Sequence, residues 1–428
     1  MKDREIADQR ILLGDALRLA EAIANTMRRV DGVLDVLPAG SLRRRRATVG
    51  DIDILINSRT AKAVVDAFVG LPIVRDVLAA GDTKASVRVN GGLQVDCRVV
   101  APESFGAAAQ YFTGSKAHNV RLRELAISKG LKLNEYGVFR GDEPIAGAAE
   151  PEVYKALGLS WVPPELRENR GEVEAALEGA LPSLVDLSDI RGDLHVHTTY
   201  SDGRGSVGDM ARAAQALGYK YLGISDHSQS LKIAGGLTPQ RLRKQRKEID
   251  ALNQRLGGFV VLACCEVDIL ADGSLDLPDA MLGELDFVTA SIHTAMQQPR
   301  RMLTRRIIAA MRHPCVNAIA HPTGRVFGHR DAYELDFDDV FRVAADEGVA
   351  LEINSYYERL DLDDVHARAA RDAGVKLVIN TDSHAPDQLG MMRLGVATAR
   401  RAWVRPADVI NTLSPAKLLA WAKRRAKG

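Results

Sequence analysis

GDLHVHTTYSDG, residues 192–203, decides the reading of the second half of this chain. Apolar and polar residues alternate over Asp193–His197 before the run ends in small turn residues. Side chains alternate faces along a strand, so His195 and His197 project to one side. The same short pattern recurs in YLGISDH (221–227), FVVLACCEV (259–267), FVTASIH (287–293), AIAHP (318–322), ALEINS (350–355) and KLVINTDSH (376–384). A helical stretch follows each run, which predicts a parallel β/α sheet. His, Asp or Glu lies at or near the C-terminal end of most of these runs. In a β/α barrel that is the face where active sites sit, so a barrel is expected.

Six of the ten histidines fall at these ends: His195, His197, His227, His293, His321 and His384. Asp202, Glu266 and Asp382 accompany them. Neutral imidazole and carboxylate are ligands of zinc, manganese and iron. So many groups on one face exceed the needs of a single ion at roughly four to six ligands, and about two or three ions are expected. His118, His313, His329 and His366 do not sit at strand ends and are read as structural. Asp226 and Asn354 are expected to orient ligands rather than to bind metal. Cys264 and Cys265 precede Glu266 on one strand and read as buried free thiols, one of them facing away from the site.

The first half differs. Leu12, Leu13, Ala16, Leu19, Ala20, Ile23, Met27 and Val30 have helical spacing within 10–30. DIDILI (51–56) reads as a strand, and SVRVNGGLQVDCRVV (86–100) as a hairpin around Asn90-Gly91-Gly92. Asp51 and Asp53 share a strand face, and Asp96 lies on what can be a neighbouring strand. Three converging carboxylates repel unless cations neutralise them. Two Mg²⁺ ions about 3.5–4 Å apart are the arrangement that activates a 3′-hydroxyl and stabilises departing pyrophosphate. Upstream, Gly40-Ser41-Leu42-Arg43-Arg44 offers free N–H groups, a hydroxyl and guanidinium groups suited to a triphosphate. WVPPELRENRGEVEAALEGALPSL (161–184), Pro-rich and charged with a short helix inside it, is expected within a linker.

Composition bounds the rest. The 428 residues imply more than one domain, and 46% apolar content supports real cores. The 57 Lys and Arg balance 56 Asp and Glu, which excludes a polybasic coat. Four cysteines, two of them adjacent, form no disulfide framework and fit a reducing cytoplasm. The N-terminal MKDREIADQR lacks the apolar core of a signal peptide, and no apolar run has membrane-spanning length.

HVHTTYSDG, SDH, the Glu of CCEVD, the His of SIH, AHPTGR and NTDSHA resemble the motifs of the PHP (polymerase and histidinol phosphatase) domain, a distorted seven-stranded β/α barrel. The resemblance implies a trinuclear centre. His195, His197, Glu266 and Asp382 would surround one ion; Glu266, His293 and His321 a second; Asp202, His227 and His384 a third. YFTGSKAHNVRLRELAISKGLKLNEYGVF (111–139) resembles the nucleotide-binding region of family X DNA polymerases, the relatives of polymerase beta. That resemblance implies that Asp51, Asp53 and Asp96 bind Mg²⁺ and that Gly40, Ser41 and Arg44 hold the triphosphate. Tyr111, Phe112 and Gly114 would line the sugar, Asn119 would contact the incoming base, and Arg123 the template.

Together the resemblances cover about residues 10–428 and match bacterial and archaeal family X polymerases with a C-terminal PHP domain. They imply an α/β protein of two domains. A polymerase-beta-like nucleotidyltransferase palm with a mixed sheet and a thumb-like region (1–160) precedes a linker (161–189) and a seven-stranded PHP barrel (190–428). The implied enzyme is a DNA-directed DNA polymerase with 3′-5′ exonuclease activity in repair, with cleavage at abasic sites a further expectation. Its partners would be gapped or primer-template DNA and dNTPs, its state monomeric, and its barrel ions zinc, manganese or iron. Three alternatives stand beside it: a PHP nuclease whose palm only holds DNA, a small-molecule phosphatase of the histidinol-phosphate type, and a non-enzymatic DNA-end-binding scaffold, against which the intact carboxylates and imidazoles argue. Members of this architecture carry lyase-like and helix-hairpin-helix modules before the palm. Only about ten residues precede the first palm helix here, so weak processivity is expected.

Overall fold

The computed structural model describes residues 10–425, and the charged stretch 1–9 lies outside it. The chain divides into two compact units, the first ending at Pro182 and the second starting at Ser183.

In the first unit, helix α1 (Leu13–Met27) buries Leu13, Ala16, Leu17, Ala20, Ile23, Ala24 and Met27; of the residues whose spacing predicts it, Leu19 is only half-buried and Leu12 and Val30 lie outside the helix. Five strands follow: β1 (Val33–Pro38), β2 (Asp51–Ser58), β3 (Val74–Ala80), β4 (Lys84–Val89) and β5 (Gln94–Val100). They form one mixed sheet in the order β1-β2-β5-β4-β3. The pair β2/β5 is parallel, with Asp53 in register with Asp96, while the neighbouring pairs are antiparallel. Gly40–Arg43 forms a single helical turn, α2, between β1 and β2. Helix α3 (Ala61–Val69) follows β2; α4 (Phe105–Thr113) and α5 (Lys116–Ser128) follow the sheet. Next comes a small sheet of β6 (Lys132–Asn134), β7 (Gly137–Arg140) and β8 (Glu143–Ala146).

The stretch expected as a linker is divided between the two units. Residues up to 182 belong to the first unit: α6 (Glu150–Ala156) precedes the stretch, and α7 (Glu172–Leu177) lies within it. Its charges look inward. Arg167 is fully buried and donates to Glu150 at 2.6 Å and to the Val162 carbonyl. Glu172 is buried with its carboxylate 2.6 Å from His118 Nδ1, and the other His118 nitrogen is 3.0 Å from the Tyr154 hydroxyl. Such satisfied charges are hidden from a reading that equates charge with solvent. Val185, by contrast, is in the core of the second unit.

The second unit is a parallel seven-stranded sheet in sequential order. Its strands are β9 (Gly192–Val196), β10 (Tyr221–Ile224), β11 (Val260–Asp268), β12 (Phe287–Ser291), β13 (Ala318–Ile319), β14 (Ala350–Asn354) and β15 (Leu377–Asn380). A bridge between Val196 and Ser383 brings the last strand back to the first, so the barrel is nearly closed. All strand residues but Val260 are buried, as expected where helices cover a parallel sheet. Connecting helices carry strong caps: Ser206 starts α8 (Val207–Ala216) with a capping box, Thr238 starts α9 (Pro239–Asn253) and Asp363 starts α10 (Asp364–Asp372). The adjacent cysteines part by alternation. Cys264 joins an inner cluster with Leu194, Leu262 and Val378, and Cys265 joins the cluster under the helices. No helix among the described residues is long and apolar enough to cross a membrane.

Candidate active sites

In the first unit β2 and β5 set Asp51, Asp53 and Asp96 at one end of the sheet. Burial is the main cause that raises the Asp53 carboxyl to about 7; the charges of Asp51 and Asp96 add to it, against Arg44 and Arg98. Gln94 Nε2 donates to both Asp96 oxygens at 3.0 Å. A carboxylate pushed so far up beside two others is short of positive charge, which fits divalent cations.

The turn that faces these carboxylates is held tightly. The Ala39 N–H donates to the Asp53 carbonyl at 2.8 Å. Gly40 follows with φ +61°, and a Cβ there would lie 2.1 Å from Asp53 Oδ2. Glycine is thus required at position 40 both by backbone conformation and by the approach of the carboxylate. Of the two arginines after Ser41, Arg43 forks onto Glu150 at 2.9 and 2.8 Å. Burial alone would raise Glu150, but Arg167 and Arg43 outweigh it and hold its carboxyl at about 2. Arg44 instead pairs with Glu168 at 3.1 Å and donates to the Thr113 carbonyl, next to Gly114. Both arginines reach the Tyr111–Gly114 segment, Arg44 through the Thr113 carbonyl and Arg43 through the Thr113 hydroxyl at 2.6 Å.

Tyr111 and Phe112 meet edge to face at 5.1 Å at the end of α4, and Gly114 has φ +70°. Asn119 donates to the Tyr111 carbonyl at 2.7 Å and accepts from Gln110 at 2.7 Å. Its amide thus braces the aromatic pair from within. Arg123, one turn on, donates to the Asn119 carbonyl at 3.4 Å. A cavity of about 390 Å³ is lined by Asp53, Asp96, Lys84, Arg98 and Phe112 among others. Arg98 lies 4.5 Å over the Phe112 ring. The sequence reading missed Arg98, although its position two residues beyond Asp96 puts it on the same strand face.

In the second unit the nine expected groups converge. Glu266 is central. Its Oε1 is 2.9 Å from His321 Nε2 and 3.3 Å from His293 Nε2, and its Oε2 is 2.7 Å from His227 Nδ1 and 3.4 Å from His195 Nε2. Asp382 Oδ1 is 3.0 Å from His197 Nε2 and 3.6 Å from His195 Nε2. Asp202 reaches His384 at 3.4 Å and His227 at 3.6 Å. Three overlapping sets have ligand atoms within 4.8 Å of one another: His197, Asp202, His227 and His384; His195, His197 and Asp382; His227, Glu266 and His293. His197 and His227 thus each take part in two sets, whereas the expected shells shared only Glu266.

Five buried atoms in this cluster, His195 Nε2, His197 Nδ1, His227 Nδ1, His321 Nδ1 and Glu266 Oε2, make no aligned hydrogen bond among the described residues, although His227 Nδ1 and Glu266 Oε2 lie 2.7 Å apart. Burying so many unpaired polar atoms is costly unless cations complete them, so the residues fit divalent metal. Without cations the groups neutralise one another. Burial disfavours the His227 imidazolium, yet Glu266 and Asp202 raise it to about 10. His197 is pushed down to about 3 by burial and by the neighbouring His384 and His227.

Supporting residues were only partly foreseen. Asp226 is buried and accepts from the Thr198 N–H at 2.7 Å, the Thr198 hydroxyl at 2.6 Å and Ser201, so it fixes the loop between His197 and Asp202. Asn354 donates to Asp382 at 3.1 Å. Glu352, 2.8 Å from His195 Nδ1, and Asp268, 2.7 Å from His293 Nδ1, were missed. Both were legible by alternation: Glu352 shares a strand face with Asn354, and Asp268 shares one with Glu266. Each aims its histidine's other nitrogen inward. Arg359, also missed, lies 3.4 Å from Asp382, and its buried Nη1 has no hydrogen-bond partner among the described residues. His118, His313, His329 and His366 belong to none of the three sets; nor does the expected ligand His321, which meets the cluster through Glu266 at 2.9 Å.

Family models agree with this division. DNA polymerase beta palm matches residues 10–87, DNA polymerase beta thumb 108–168, and PHP domain 193–356. The chain is 41% identical over 420 residues, 97% of its length and 73% of the relative's, to a Bacillus subtilis protein named DNA polymerase/3′-5′ exonuclease PolX. The chain belongs to the PolX family. The chain is also 31% identical over 207 residues to a probable phosphatase of Acetivibrio thermocellus, covering 46% of this chain and 81% of that one. Among solved structures, a ternary P/T complex of Leishmania infantum polymerase beta matches 38% of this chain and 77% of its own at 25% identity, with a TM-score of 0.35. The palm and thumb models of this PolX chain fall in the first unit and the PHP model in the second.

Proposed function

We propose that this PolX member adds dNMP to a primer 3′-end in its first unit and removes 3′-nucleotides in its second, as a DNA repair enzyme. The observation that carries the reading is a pair of clusters, one in each unit of a chain of this family: carboxylates short of positive charge in the first, and buried ligand atoms without hydrogen bonds in the second. Divalent cations bound there would neutralise phosphate charge and supply an activated nucleophile at neutral pH.

In the first unit Asp51, Asp53 and Asp96 would hold two Mg²⁺ ions. The N–H groups of the Gly40 turn, the Ser41 hydroxyl and Arg44 would receive the triphosphate. Gly40 lets that backbone close on Asp53, so triphosphate and cation sites are built as one. Tyr111 and Phe112 would crowd the 2′ position of the sugar, with their backbone fixed by Asn119. Arg123 would face the template.

In the barrel His195, His197, Asp202, His227, Glu266, His293, His321, Asp382 and His384 would bind the ions. Imidazole and carboxylate suit zinc, manganese and iron alike. Glu266, with both oxygens engaged on different histidines, would bridge two ions. Arg359 would hold the scissile phosphate, since its Nη1 is buried and unpaired beside Asp382.

The test is selective loss. Asp96→Asn should abolish Mg²⁺-dependent primer extension on gapped DNA and leave 3′-end trimming by the same preparation intact. Extension that survives in the variant would remove Asp96 from the site. A wild type that trims but never extends would leave a palm that only binds DNA.

A further inference from the structure

Ile233 is 96% exposed, more than any other large apolar side chain among the described residues. It stands on the loop after β10, six residues beyond His227. That loop is held in place rather than draped. The Leu237 N–H donates to the His227 carbonyl at 2.7 Å, and the Ser228 N–H to the Glu266 carbonyl at 3.0 Å. The Ser230 hydroxyl donates to Asp268 at 2.6 Å, and the other oxygen of that carboxylate orients His293. Arg241 ties the loop's Gly235 carbonyl to the Tyr200 carbonyl, beside Ser201 and Asp202. A loop fastened to the metal cluster at several points thus presents an apolar side chain wholly to water, beside an exposed Lys232.

A second apolar group stands on the loop after β14. Tyr356 is half-buried, and its N–H donates to the Asn354 side chain at 2.9 Å, while the amide of that side chain holds Asp382. Its ring packs at 5.1 Å on Tyr357 and lies within the field of Asp382, Arg359 and Arg204. The sheet order places β10 and β14 on either side of the β9/β15 seam, where His197, Asp382 and His384 lie. Apolar groups flanking an anion-binding centre, each fixed by the residues that fix the ligands, match single-stranded nucleic acid, whose bases are apolar-faced and whose backbone is anionic.

We propose that Ile233 and Tyr356 form a nucleobase-binding rim that holds the last bases of a single-stranded 3′-end while its terminal phosphodiester lies at the barrel centre. The inference rests on the reading of that centre as the 3′-5′ exonuclease site. It gives the barrel a preference for unpaired polynucleotide ends over phosphate esters without a base, at positions separate from the metal ligands.

The test compares hydrolysis of two single-stranded oligonucleotides by the full chain with Mn²⁺. One ends in thymidines, and the other carries tetrahydrofuran abasic analogues at its last positions. The wild type should prefer the thymidine end in kcat/KM. Ile233→Ala and Tyr356→Ala should each reduce that preference about tenfold through KM. Ile233→Leu and Tyr356→Phe should restore it, and metal content should match the wild type throughout. An equal preference in wild type and alanine variants, or none in the wild type, overturns the rim. A wild type that hydrolyses neither oligonucleotide overturns the exonuclease reading beneath it.

Discussion

Gly40→Ala should silence the palm without touching the barrel. The added Cβ would sit 2.1 Å from Asp53 Oδ2, whereas carbon and oxygen make contact at about 3.3 Å. The carboxylate must therefore retreat by about 1 Å. The backbone gives little relief, because the Ala39 N–H is bonded to the Asp53 carbonyl at 2.8 Å and β2 is paired on both sides. Alanine at φ +61° adds local strain of about 1–2 kcal/mol. A misplacement of this size costs roughly 10²-fold where reacting groups must be aligned. Single-turnover incorporation of one dNTP into gapped DNA with Mg²⁺ should accordingly fall about 100-fold. Circular dichroism should show a folded chain, and 3′-end hydrolysis by the same sample should match the wild type. Incorporation within twofold of wild type would refute the argument that this turn and Asp53 are built as one unit.

Asp53→Asn should stabilise the Mg²⁺-free protein at pH 8 and not at pH 4. The folded carboxyl lies at about 7 against an ordinary 3.8, so the folded state binds more protons between those values and loses stability as pH rises through them. The difference corresponds to at most about 4 kcal/mol, and thermal denaturation of variant and wild type with chelator should separate by several degrees at pH 8 only. Glu352→Gln should weaken metal binding about 10–100-fold with the fold retained, because His195 loses the carboxylate that orients it; metal titration followed by protein fluorescence measures this. Arg359→Ala should lower 3′-5′ hydrolysis mainly through KM for the oligonucleotide, and an unchanged KM would leave the buried guanidinium without a phosphate.

Both folds were legible because their patterns are local and repeated. Strand after strand of the barrel pairs a short apolar run with a polar C-terminal residue, and period-two alternation carries His195 with His197 and Asp382 with His384 to one side. The palm was legible from Asp51 and Asp53 on one apolar strand and from a hairpin marked by Asn90-Gly91-Gly92. What escaped depends on pairing across long distances in sequence. A buried Arg167–Glu150 ion pair and the hydrogen bond between Glu172 and His118 turn a charged, Pro-rich stretch into part of the first unit. Glu352 and Arg359 face the metal cluster from a histidine-free strand and loop of which only Asn354 was singled out. The sharing of His197 and His227 between ligand sets follows from ring positions set by seven strands at once, which no spacing rule reports.

The central claim is that one chain carries two independent metal-dependent chemistries, and Glu266→Ala tests it most directly. Glu266 touches four histidines through two oxygens, so its loss should release more than one equivalent of metal from dialysed protein, measured by plasma emission. The same sample should lose Mn²⁺-stimulated 3′-5′ hydrolysis and still extend a primer with Mg²⁺, since Asp51, Asp53 and Asp96 lie in the other unit. Full metal content together with full hydrolysis in the variant, or loss of extension along with hydrolysis, would contradict the account.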